Sequence, residues 1–329
     1  MIVIGVRCNA SGASDMAVRA MATRGARAVG CVRRDGSVAR DARVWRAGAR
    51  RVGATRPTRA TTEESVVDTE TRLEVVSAGA ILVPHPDKAD KGGEDACFVL
   101  KRKGAFGVFD GVGGWAEEGV DPAEYSEQFA ERSAQCVLNG ERDPVQVMKE
   151  AHDKTQVIGS CTACITVLKD GNMLDIANLG DAGAMVAREG KTFFRTASQQ
   201  HEFNLPYQLG WVKVYPEGDK PSCADRSEIE MKPGDAVVLG SDGLWDNVPH
   251  DEVAALCAKH EGDAEHCAEA IATLAFSYSC DPSYDSPFTQ EARKAAEDTP
   301  AWEDAKNLVG GKMDDIAVVV AYFEKAQVF

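Results

Sequence analysis

No apolar run in the chain approaches the roughly 18 residues that a membrane-crossing helix needs, so no membrane span is predicted. The ten cysteines lack the paired spacings of a disulfide framework, and reduced thiols are expected. Cys161-x-x-Cys164 is the exception. It falls in a predicted strand, where positions three apart face opposite sides and cannot share a ligand. The first sixty residues contain no lysine and one proline, Pro57. No internal repeat is visible.

What those sixty residues do contain is arginine, alanine and glycine. Thirteen arginines stand against three acids, Asp15, Asp35 and Asp41, a balance of +10. The whole chain of 329 residues has a formal charge of −15, which leaves −25 for the remainder. So acidic a body argues against nucleic acid as the main partner. It suits a protein that holds cations. Basic, acid-poor composition is that of an organelle transit peptide; the alternative is a basic tail with no address. Residues 1–72 are expected to form a disordered extension of this kind. Sparse serine favours the mitochondrion over the chloroplast. The whole chain is 44% apolar and 27% charged, an ordinary globular profile, and 73–329 reads as one domain, expected to be a monomer.

That domain is organised around Phe106–Trp115, Phe-Gly-Val-Phe-Asp-Gly-Val-Gly-Gly-Trp. A buried strand that stops on Asp110 puts a charge at the rim of a core. The glycines after it let backbone approach whatever the charge holds. The alternative is an aspartate capping a glycine turn. The arrangement recurs twice. A strand over 236–240 runs into Ser241-Asp242-Gly243, and Asp314-Asp315 precedes a strand over 316–323. Glu94 and Asp95 open a strand over 96–100, and the strand over 105–110 follows it. Paired as a hairpin, the start of one and the end of the other share an edge, which brings three carboxylates together. Further strands are predicted over 74–84, 161–168, 173–179, 182–187 and 192–195. Helices are predicted over 145–155, 250–259, 264–277 and 290–297. Another opens at Pro122 with Asp121 as its cap and Tyr125, Phe129 and Val137 on its buried face. Residues 198–215 read as an ordered loop.

Burying this many like charges together is unfavourable unless something positive lies between them. Oxygen-only ligands suit hard ions, Mg²⁺ or Mn²⁺. No histidine neighbours these acids in the sequence, which counts against zinc. Two such ions about 3.5–4 Å apart can clamp a phosphate and acidify a bridging water. The chemistry indicated is metal-assisted phosphoester hydrolysis without a covalent enzyme intermediate.

The motifs, in order, are Gly93-Glu94-Asp95, Phe109-Asp110-Gly111-x-Gly-Gly, Gly159-Ser160-Cys161-Thr162-Ala163, Asn178-Leu179-Gly180-Asp181, Ser241-Asp242-Gly243-Leu244-Trp245-Asp246 and Asp314-Asp315-Ile316. Together they resemble the metal-dependent type 2C protein serine/threonine phosphatases, over about 74–323. Pro206-Tyr207-Gln208-Leu209 and Ser286-Pro287-Phe288 resemble the organelle subgroup. The resemblance implies an α+β fold, two stacked antiparallel β-sheets flanked by helices. It implies two Mg²⁺ or Mn²⁺ ions and phosphorylated proteins as substrates. Asp110 matches the aspartate bridging both metals, and Gly111 the glycine whose carbonyl is a ligand. Asp242 and Asp314 match carboxylates on one metal, and Glu94, beside Asp95, the acid on the other. Asp246 resembles a ligand of a third, weaker site. Asp181 matches a position expected to hold a turn.

Three departures stand out. Many members carry a histidine, proposed to protonate the leaving group, where this chain has Val112. Water held by the ions would have to supply that proton, or turnover on poor leaving groups slows. The phosphate-gripping arginine is replaced by Asp90, leaving Lys91 as a candidate point charge, with Lys88 nearby. The aspartate usual a few residues before Gly-Ser-x-Thr is missing, and Asp153 is nearby but out of register. The first two departures motivate an alternative, a catalytically weak or dead relative that binds phosphoproteins. His152, His250, His260 and His266 are expected in solvent and His201 in loop packing. Trp245 is expected in the core, and Trp115 in rim packing or at the edge of the cleft.

Overall fold

The computed structural model describes residues 3–4, 72–298 and 300–326. The proposed transit segment falls almost wholly outside them. The strands, in chain order, are β1 (Leu73–Val83), β2 (Asp95–Leu100), β3 (Ala105–Asp110), β4 (Ala163–Leu168), β5 (Met173–Leu179), β6 (Gly183–Arg188), β7 (Lys191–Arg195), β8 (Asp225–Glu230), β9 (Ala236–Gly240) and β10 (Ile316–Lys325). The helices are α1 (Pro122–Leu138), α2 (Pro144–Lys154), the single turn α3 (Asp242–Trp245), α4 (His250–Lys259), α5 (Ala264–Ser279) and α6 (Pro287–Asp298).

Two antiparallel sheets result. One orders β2-β3-β4-β5-β8, with Val3–Ile4 paired to the outer edge of β2; the other orders β1-β10-β9-β6-β7. Helices α1 and α2 cover the first sheet, and α4 and α5 the second. The inner faces meet through Phe106, Val108, Leu174 and Ile176 on one side and Val237, Leu239, Val319 and Phe323 on the other. Most central strands are thus buried on both faces. This is why they read as near-continuous apolar runs rather than as alternating ones. The expected sandwich of two sheets between helical layers is present.

Asp121 caps α1 by accepting from the Ala123 N–H, and Tyr125, Phe129 and Val137 are fully buried beneath it. The strand predicted over 161–168 is broken at Thr162. Its amide donates to the Asp110 carbonyl (2.9 Å), and Ser160–Cys161 pair instead with Leu209–Gly210. The segment read as ordered loop is therefore tied down by short ladders, Gln200–Glu202 with Leu205–Pro206 being another. β8 gives no strand signal in the sequence because Asp-Arg-Ser-Glu-Ile-Glu offers little to bury. It is an edge strand whose charges keep other chains off.

Candidate metal centre

Strand ends from both sheets meet at one mouth. Asp95 opens β2, Asp110 closes β3, and the two are direct cross-strand partners. Like charges so placed are destabilising by themselves. β9 and β10 run antiparallel with Gly240 opposite Val318. Asp242, just past β9, and Asp314, just before β10, therefore lie at the same end. The Asp110 carboxyl interacts electrostatically with Asp242, Asp95, Asp314 and Asp181.

Close backbone approaches make this convergence possible. A Cβ on residue 243 would stand 1.9 Å from the Asp315 carbonyl oxygen, so only glycine lets α3 start there. Gly93 has φ +82°, and a Cβ there would lie 2.7 Å from Asp315 Oδ1. The Asp315 carboxylate accepts from the His85 N–H (2.7 Å), the Glu94 N–H (3.1 Å) and Lys88 Nζ (2.9 Å). It is a bracket joining β10 to the turn before β2, with its oxygens already engaged. Ser241 Oγ donates to Asp95 Oδ2 (2.6 Å) and accepts from the Ala317 N–H (2.9 Å), which links β2, β9 and β10. Ser126 Oγ on α1 donates to the Glu94 carbonyl (2.6 Å).

Two lysines sit among the acids. Lys88 Nζ reaches Glu94 Oε2 (2.5 Å) as well as Asp315. Lys312 Nζ reaches Asp242 (2.5 Å), Asp246 (2.7 Å) and Asp314 (3.5 Å). Burial disfavours both ammonium charges, but the surrounding carboxylates outweigh it and push both pKa values up. The acids remain under-neutralised. Burial, then Asp242, Asp95 and Asp314, raise the Asp110 carboxyl well above the ordinary range. Burial and Asp315 do the same to Asp95, and burial and Asp242 to Asp181. Asp314 is pushed up to about 7 by burial and Asp242, and Asp246 to about 6, chiefly by burial. Asp242 goes the other way. Burial would raise it, but Lys312, a hydrogen bond with Asp110 and the Gly243 N–H hold it below its ordinary value.

Among the described residues, no group of three or more His, Cys, Asp or Glu is placed, as it stands, to hold a metal ion. The donor set nonetheless fits hard divalent cations. It is all oxygen, crowded and short of positive charge, and Asp95 Oδ1 and Asp181 Oδ1 are buried without a hydrogen-bond partner.

Glu94, Asp95, Asp110, Gly111, Asp242, Asp246 and Asp314 all fall at or beside this mouth. The Gly111 N–H donates to the Glu94 carbonyl (3.2 Å). Lys91 is exposed on the preceding turn, and Lys88 is the ammonium that reaches the acids. The side chain three residues earlier folds back across that turn, which spacing alone does not reveal. Asp181 does more than hold a turn, because its buried carboxyl faces Asp242, Lys312 and Asp246. The sequence carries one signal for Lys312, a lysine between two glycines and an acid pair in an acidic body. His152 and His250 are not free in solvent. One bonds the Gly210 carbonyl (2.9 Å), and the other stacks on half-buried Trp245 at 5.0 Å. His201 stacks on Tyr207 and bonds Asp219 (2.9 Å), as loop packing requires. Cys161 and Cys164 do face opposite layers. Trp115 donates from Nε1 to Ser160 Oγ (2.6 Å) and meets Tyr215 edge-on.

A family model described as Protein phosphatase 2C matches residues 91–206 and 223–283. The chain is 41% identical over 253 residues to the Arabidopsis thaliana protein called Probable protein phosphatase 2C 26, covering 75% of this chain and 83% of that one. Its fold superimposes on the X-ray structure of the photosystem II phosphatase PBCP with a TM-score of 0.69 and 36% identity, over 78% of this chain and 100% of that one. The catalytic domain of the serine/threonine protein phosphatase PstP, solved with two manganese ions, shares the fold alone: TM-score 0.51, 16% identity, 77% of this chain and 100% of that one.

Proposed function

We propose how the mouth works in this chain, which belongs to the protein phosphatase 2C family and is a metal-dependent protein serine/threonine phosphatase. Asp110, Asp242, Asp314 and Glu94, with the Gly111 carbonyl, hold two divalent ions, Mg²⁺ or Mn²⁺. When bound, these ions supply Lewis acidity toward the phosphoryl group and a water acidic enough to attack it near neutral pH.

The chain's own residues do the positioning. Asp110 and Asp242 bring the two sheets' carboxylates face to face, and Ser241 and Asp315 fix the strands that carry them. Lys88 holds the Glu94 carboxylate in place. Asp95 is placed beside Glu94 to complete the donor set. Val112 has no proton to give, so the leaving serine or threonine oxygen takes its proton from water in the cleft. Trp115, Ser160 and Tyr215 brace one wall of that cleft.

The observation that carries this reading is the cross-strand pair Asp95–Asp110 lying at the same mouth as Asp242 and Asp314. A phosphoprotein-binding module would have little reason to keep such a costly set. The test is phosphate release from a phosphothreonine peptide with Mn²⁺, with Mg²⁺ and with excess EDTA, using the wild type and Asp110→Asn. Metal-dependent turnover lost in Asp110→Asn is expected; equal turnover in EDTA sinks the reading.

The address is an organelle. The arginine-rich composition of residues 1–60 supports that, and so does likeness to a photosystem II phosphatase. Sparse serine favours the mitochondrion, and the photosystem relative favours the plastid. A fluorescent fusion of residues 1–60 distinguishes them, and diffuse fluorescence would refute both. Among the described residues no helix is long and apolar enough to cross a membrane. The domain is proposed to act as a monomer on phosphorylated proteins.

A further inference from the structure

We propose that Lys312 is a built-in cation that occupies the Asp246 corner of the mouth and limits the centre to two divalent ions. This rests on the two-ion reading above and says which cations the centre accepts.

The Lys312 ammonium has three protons and three carboxylates within reach: Asp242 at 2.5 Å, Asp246 at 2.7 Å and Asp314 at 3.5 Å. Only 17% of its side chain is exposed. The ring of Phe288, at the start of α6, lies 5.1 Å from Nζ and offers a cation a favourable face. The Phe288 N–H donates to the Asp246 carbonyl (3.0 Å), so the same residue seals Asp246 and covers the lysine.

The backbone of Lys312 is clamped as well. Its N–H donates to Asn247 Oδ1 (2.9 Å), and its carbonyl accepts from Asn247 Nδ2 (2.8 Å). That same amide donates to the Gly243 carbonyl (2.9 Å), so Lys312 is fixed to the element that carries Asp242 and Asp246. A surface lysine that strays among acids has no such fixture.

A metal ion at Asp246 would need further oxygen ligands, and the nearest acid before Gly159 in the sequence, Asp153, is an exposed residue of α2. The cation the structure does place on Asp246 is the Lys312 ammonium. An ammonium needs fewer ligands than a divalent ion and repels one that approaches the same oxygens.

The test is equilibrium dialysis of the full chain against Mn²⁺, with bound metal counted by mass spectrometry and folding checked by circular dichroism. Wild type and Asp246→Asn are both expected to bind two ions. Lys312→Met is expected to gain a third, weaker ion, and Lys312→Met/Asp246→Asn to lose it again. A wild type that binds three ions, one of them lost in Asp246→Asn, overturns the proposal. So does a folded Lys312→Met that stays at two. Should Lys312→Met fail to fold, the wild type against Asp246→Asn decides: an equal count supports the built-in cation and a lower count in the variant refutes it. Asp110→Asn separates the underlying reading. If it keeps every ion, the two-ion centre itself is wrong, whatever Lys312 does.

Discussion

Removing divalent ions should make the fold's stability fall with rising pH, because the acids that crowd the mouth resist ionising. The Asp314 carboxyl is raised from 3.8 to about 7. A carboxyl raised on folding costs nothing below its unfolded value. The cost grows through the window between the two values and is complete above the folded one. At about 1.4 kcal/mol per pKa unit, Asp314 alone costs the metal-free fold on the order of 3 kcal/mol between pH 5 and pH 8. Asp246, raised to about 6, adds about 1 kcal/mol, and Asp95, Asp110 and Asp181 act in the same direction. For a domain this size that is a fall in melting temperature of roughly 8–16 °C. His250 opposes it. Burial and Arg195 hold its ring down to about 4, so stability present above its ordinary 6.5 is lost on acidification. Its contribution is expected to be the same with and without ions, because burial, Arg195 and Asp251 set it rather than the carboxylates of the mouth. The assay is therefore thermal melting at pH 5 and pH 8, in EDTA and in saturating Mn²⁺. The EDTA samples should lose more stability toward pH 8 than the Mn²⁺ samples, which exchange protons for metal. Equal pH dependence in the two sets would refute the picture of charge-starved acids.

Other changes separate scaffold from site. Gly243→Ala forces a Cβ into the Asp315 carbonyl, and a loss at the upper end of the roughly 1–3 kcal/mol typical of overpacking is expected, with weakened Mn²⁺ binding in calorimetry. Asp235→Ala removes the two-pronged partner of Arg188 far from the mouth; melting should show a loss of roughly 3 kcal/mol, with Mn²⁺ affinity unchanged. Lys88→Met should reduce phosphopeptide turnover by about 10-fold or more by freeing Glu94, whereas Lys91→Met should leave it within about 2-fold. Equal effects of the two lysines would contradict the placement of Lys88.

Much of this was legible in the chain because the informative residues follow strands. The runs before Asp110 and Asp242 and after Asp314 are apolar enough to mark buried strands, and hairpin geometry then puts Asp95 opposite Asp110. Long-range choices were not legible. Nothing local says that Lys88 folds back over its turn while Lys91 points outward, or that Lys312 turns into the acids. The break at Thr162 is set by a hydrogen bond to Asp110, fifty-two positions earlier. The charged edge strand β8 escaped notice because an edge need bury little. Asp181 looked like a turn residue because its neighbours at the mouth come from the other end of the chain.

The most direct measurement is a crystal structure of the full chain grown with Mn²⁺ and phosphate, with data collected at the manganese absorption edge. Two anomalous peaks about 3.5–4 Å apart are expected between Asp110, Asp242, Asp314 and Glu94. No peak at that mouth, or a single ion bound elsewhere, would contradict the claim that these carboxylates converge to hold metal.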